Sequence, residues 1–106
     1  MTKITFFTAD SRAIEVTGKS GASLMETAVA NGVPGIEAEC GGACSCATCH
    51  VYVDEAWIDS VGRAESMEAD MLEMAYDVGE NSRLSCQITV SEALNGLLVR
   101  LPVRQV

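Results

Sequence analysis

Five of the 106 residues are cysteines, and four have a spacing that could do metal chemistry. Cys40, Cys46 and Cys49 form a C-x5-C-x2-C run, and Cys86 lies far downstream in Arg83-Leu84-Ser85-Cys86-Gln87. A [2Fe–2S] cluster needs four thiolates, two per iron, and the layout suits one. Cys46 and Cys49 can point both sulfurs the same way from one short turn. Gly41 and Gly42 let backbone N–H groups approach closely, and such amides hydrogen-bond cluster sulfurs. Cys86 is separated from Cys49 by 36 residues, so the fold must bring it in. Structural zinc also takes four cysteines, usually as two C-x2–4-C pairs; here only one such pair is clean, and Cys86 has no partner nearby. A thiol–disulfide oxidoreductase would place its C-x-x-C beside a βαβ unit, which the pattern here lacks. On spacing alone the [2Fe–2S] site is favoured and zinc stays open.

The elements that must position these cysteines are legible in outline. Lys3–Thr8 and Arg12–Val16 alternate apolar and polar residues around a polar turn, which predicts a β-hairpin. Ser23 followed by Glu26 is a capping box opening a helix over about 24–31, with Leu24, Ala28 and Val29 near one face. Residues 36–50 have no periodicity and read as a loop. Val51–Val53 reads as a short strand, and 54–65 as irregular. Met67, Met71, Met74 and Ala75, interleaved with Glu68, Asp70 and Glu73, predict an amphipathic acidic helix over 66–76. Leu84, Cys86, Ile88 and Val90 alternate as a strand over 83–90, and a last strand spans 97–101. The order predicts an α+β domain with helices laid on a mixed sheet. A length of 106 residues fits one domain, 1–106.

Charge narrows the partners. Fifteen acids against seven bases give a formal net charge of −8. Nucleic acid and anionic lipid surfaces both require clustered Lys and Arg, so neither is expected as a partner. A basic protein surface is the natural complement. Nine of the 15 acids, Asp54 to Glu80, fall in one quarter of the chain with a single base, Arg63. Such a face steers association with basic partners. No run approaches the roughly 18 apolar residues of a membrane span. The N-terminus lacks the apolar region of a signal peptide, so the expected location is cytoplasmic, where clustered cysteines mean metal or catalysis rather than disulfides. No nucleophile–base pair or open metal position is evident, which argues against an enzyme.

The segment Cys40-Gly41-Gly42-Ala43-Cys44-Ser45-Cys46-Ala47-Thr48-Cys49-His50-Val51-Tyr52-Val53 resembles the cluster loop of adrenodoxin/putidaredoxin-type [2Fe–2S] ferredoxins. The resemblance extends through Ser23-Leu24-Met25, Asp70-Met71-Leu72-Glu73 and Asn81-Ser82-Arg83-Leu84-Ser85-Cys86-Gln87 to Leu101-Pro102-Val103-Arg104-Gln105. It implies a β-grasp (ubiquitin-like) ferredoxin fold, one [2Fe–2S] cluster on Cys40, Cys46, Cys49 and Cys86, and one-electron transfer by a monomeric carrier. It also implies an FAD-containing, NAD(P)H-dependent ferredoxin reductase as donor and a cytochrome P450 monooxygenase as acceptor. Asp70 and Glu73 match the acidic positions that the family presents to both, and Glu65 and Glu68 are expected to join them at the docking face. His50, the only histidine, is expected to tie the cluster loop to the domain through its ring nitrogens. Cys44 matches instead the loops of ferredoxins that serve iron–sulfur cluster assembly. That makes an assembly donor the alternative, with Cys44 a spare thiol or a small non-ligating residue.

Overall fold

A computed structural model describes residues 2–33, 49–64, 66–73, 75 and 77–102. The expected hairpin is present as β1 (Thr2–Phe7) and β2 (Ala13–Gly18), paired antiparallel with Ile4 opposite Val16. Its alternation places Ile4, Phe6 and Val16 in the core. Gly18 is required by a close approach: a Cβ there would lie 3.0 Å from Val90 Cγ1 and 3.1 Å from Ile4 Cδ1.

Helix α1 (Leu24–Ala30) opens on the capping box. The Glu26 N–H donates to Ser23 Oγ at 3.0 Å, and the Ser23 N–H donates to Glu26 Oε1 at 3.1 Å. Two of the helix's orphan donors are thereby satisfied. Its buried side is Leu24, Met25, Thr27 and Ala28. Val29, expected on that side, is exposed. At about 100° per residue it stands well off the line through Leu24 and Ala28.

Next comes β3 (His50–Val53), the short strand expected. The span expected to be irregular contains a 3-10 turn (Glu55–Trp57) and a single helical turn, α2 (Ile58–Val61). The Asp54 carboxylate caps the first by accepting the Ala56 N–H. The acidic helix, α3 (Ser66–Leu72), is shorter than expected. Beyond it the chain tightens into i to i−3 bonds, Glu73 N to Asp70 O and Ala75 N to Leu72 O. β4 (Ser82–Leu84) stops where the sequence predicted a strand continuing to 90. Residues Ser85–Gln87 instead make a 3-10 turn. β5 (Leu97–Arg100) completes the set.

The described strands form one mixed sheet in the order β2-β1-β5-β3-β4. Only β1 and β5 run parallel; the other pairs are antiparallel. This is the α+β, β-grasp arrangement expected. The core, including Ile4, Phe6, Leu24, Val51, Leu84, Leu97 and Val99, lies along this sheet. Among the described residues no helix is long and apolar enough to cross a membrane.

Candidate metal centre

The site is built where β3 begins and β4 ends. Cys49 immediately precedes β3 and is buried, while Cys86 occupies the 3-10 turn after β4 and is half-buried. The antiparallel register sets His50 against Leu84 and Val51 against Arg83. The pairing continues one step further. The Cys49 carbonyl accepts both the Ser85 N–H and the Ser85 hydroxyl, each at 2.8 Å. Two residues 36 positions apart are thus joined, and the neighbour of Cys86 is held on the Cys49 carbonyl. The alternation Leu84, Cys86, Ile88 looked like one strand because it counts side chains; the double bond to Ser85 turns the chain and takes Cys86 out of the sheet.

His50 is fully buried, and its Nε2 lies 2.8 Å from Ser82 Oγ. That hydroxyl oxygen also accepts the Gly79 N–H at 2.8 Å. The Tyr52 ring meets His50 edge-on at 4.8 Å, and Tyr52 Oη donates to the Asp77 carbonyl at 2.5 Å. Burial pushes the His50 pKa down to about 4, with Asp77 opposing, so the imidazole is neutral at physiological pH. His50 therefore ties the start of β3 to β4 and to the segment before it.

A second buried polar group centres on Arg83, three residues before Cys86. Arg83 and Glu68 are both buried and form a bidentate pair, Nε to Oε2 at 2.5 Å and Nη2 to Oε1 at 3.0 Å. Glu68 Oε2 also accepts the Leu84 N–H at 3.0 Å. Arg83 Nη1 donates to the Val61 and Gly62 carbonyls at 3.2 and 2.9 Å, and Nη2 to the Gln87 carbonyl at 3.4 Å. One guanidinium thus links α2, α3, β4 and the turn that carries Cys86. The expectation that Glu68 faces a docking partner is corrected here: its carboxylate is spent on Arg83 and Leu84 inside the domain. Asp70 and Glu73, on the same stretch, are exposed as expected. Cys40, Gly41, Gly42, Cys44, Cys46 and Glu65 lie outside the described residues.

Two contacts escaped the sequence reading. Arg83 carried a weak signal, the single base in the strand expected over 83–90. Gln87, whose Nε2 donates to Cys86 Sγ at 3.5 Å, carried none. Two cysteines gathered by paired backbone, one with a donor aimed at its sulfur, fit a thiolate-held metal group.

The comparisons with known proteins agree. The family described as "2Fe-2S iron-sulfur cluster binding domain" matches residues 7–91. Ferredoxin CarAc of Sphingomonas sp is 51% identical over 90 residues, covering 85% of this chain and 83% of its own. A crystal structure of a reduced putidaredoxin variant from Pseudomonas putida superposes with a TM-score of 0.95 at 43% identity, covering 99% of this chain and 100% of that one. The chain is a [2Fe–2S] ferredoxin of the adrenodoxin/putidaredoxin type. Putidaredoxin has also been crystallised in a covalent complex with putidaredoxin reductase, and that copy matches at TM-score 0.91 and 45% identity over 97% of this chain and 100% of its own. This ferredoxin binds one [2Fe–2S] cluster and is an electron carrier rather than a catalyst. When bound, the cluster supplies a centre that gains and loses one electron.

Proposed function

We propose that this ferredoxin takes one electron from an FAD-containing, NAD(P)H-dependent ferredoxin reductase and passes it to a cytochrome P450 monooxygenase. Cys40, Cys46, Cys49 and Cys86 hold the cluster, and residues 1–106 act as one ferredoxin domain. The observation that carries the reading is the likeness to putidaredoxin along 99% of the chain, including a copy caught on its reductase. Exposed Asp70 and Glu73 add the docking charge that a carrier of this kind needs, while Glu68 fixes the helix beneath them. The residues divide the labour: thiolates bind, His50 and Arg83 hold the two sides of the binding turn, and the acids on and after α3 steer encounter. The alternative, an electron donor to iron–sulfur cluster assembly, rests on Cys44, and no described residue favours it.

Reversing both Asp70 and Glu73 to Lys is the direct test. Stopped-flow transfer from the reductase or to the P450 should slow at least tenfold at low salt and lose most of its salt dependence. Unchanged rates at low salt would remove these two acids from the docking role. The protein itself should be red-brown, with about two irons and two acid-labile sulfides per chain; a colourless protein holding one zinc contradicts the whole reading.

A further inference from the structure

Gln87 directly follows Cys86, and its side chain is exposed. A surface glutamine is ordinarily free to sample many rotamers. Here its Nε2 turns back onto its neighbour and donates to Cys86 Sγ at 3.5 Å, a normal length for an N–H···S contact. The backbone on both sides is pinned. The Gln87 carbonyl accepts from Arg83 Nη2, and Arg83 is locked in turn by Glu68. On the other side, Ser85 is bound twice to the Cys49 carbonyl. The 3-10 turn Ser85–Gln87 therefore presents the amide to the sulfur from a fixed base.

We propose that Gln87 is a positioning residue for electron transfer, whose side-chain amide donates to the Cys86 thiolate and raises the reduction potential of the bound cluster. The inference rests on the reading of Cys86 as a cluster ligand. Its physical basis is differential. Reduction adds negative charge that is shared with the sulfur ligands, and a hydrogen bond to a more strongly charged acceptor is stronger. A donor to Cys86 Sγ thus favours the reduced state, and hydrogen bonds to sulfur are among the levers that set such potentials. Because the amide is neutral, it does this without altering the acidic field that steers partners. Tuning and docking are carried by different residues, and each can be changed alone.

The test is the midpoint potential of the purified holoprotein, followed by visible absorbance in a dye-mediated redox titration. Gln87→Leu removes the donor at similar size. It should lower the reduced-to-oxidised ratio at a fixed poise by about threefold to tenfold, tenfold being 59 mV for one electron. Gln87→Met keeps the length and the neutrality but has no N–H to donate, and should lower the ratio as far. Both variants should also lose part of the shift in iron–sulfur stretching frequencies that the wild type shows on transfer to D2O. A merely structural role would not move that shift. Should Gln87→Leu fail to hold the cluster, Gln87→Met decides alone by the same criteria. A wild-type potential with an unchanged D2O shift, or a potential that rises in Gln87→Leu, would overturn the proposal. Cys86→Ser separates the two levels. A changed visible spectrum or lost iron upholds the ligand reading whatever Gln87 does, whereas unchanged iron content and spectrum would overturn both.

Discussion

The half of the sheet that carries Cys49 and Cys86 is held differently from the half that does not. Around β1, β2 and α1, burial is mostly apolar: Ile4, Phe6, Val16, Leu24, Met25 and Ala28, with only threonines among the described buried polar groups. Around β3, β4 and α3 the described buried set includes His50, Glu68, Ser82, Arg83 and Ser85. Apolar packing is non-directional and tolerates small displacements. Hydrogen bonds and ion pairs fix angles as well as distances. A domain that must hold sulfurs in one geometry therefore concentrates its directional contacts next to them. It accepts in return the cost of desolvating charge, which good geometry only offsets.

Three changes of decreasing size would break or sharpen that contrast. The largest is expected from Arg83→Leu, which leaves the Glu68 carboxylate buried without its partner. Removing one member of a buried pair costs about 3–5 kcal/mol, measured here as a fall in the urea midpoint of the holoprotein. A loss below about 1 kcal/mol would mean that apolar packing, not the ion pair, holds α3.

Next comes pH. His50 has a folded pKa of about 4 against 6.5 for the free side chain. Between those values the unfolded chain binds the extra proton, so stability is full above pH 6.5 and is lost as pH falls toward 4. The loss is on the order of 3 kcal/mol. Urea midpoints from pH 7.5 to 4.5 should show this slope in the wild type and a shallower one in His50→Gln. Equal slopes would place the acid sensitivity elsewhere. The smallest effect belongs to the apolar half: Ser23→Ala removes a helix cap and should cost about 1 kcal/mol, with the visible spectrum unchanged.

What the sequence disclosed follows separation along the chain rather than that divide. The hairpin, the capping box of α1 and the short β3 depend on neighbours within a few residues, so they were legible. The cysteine spacing was legible because thiolates are rare and their count is chemical. Glu68 was not, because one glutamate among many reveals nothing of an arginine fifteen positions on that draws it inside. The end of β4 was hidden too, since alternation at 84, 86, 88 and 90 continues through a turn created by Ser85 and Cys49, a contact between distant positions. Val29 was misplaced because it stands about 100° round the helix from Ala28, on the exposed side.

During synthesis the strand that joins the two halves is the last of the described strands to be made. β5 lies between β1 and β3, parallel to one and antiparallel to the other, and Ile4 must wait for Leu97 before the centre of the sheet can close. The Lys3 carbonyl likewise has no partner in the Gly96 N–H until a residue far downstream has been made. Contacts this distant in sequence are slow to form. Cys49 is translated well before Leu97 and β5 can close the sheet it adjoins. Loading of iron and sulfide into the finished geometry therefore belongs after β5 has joined the sheet.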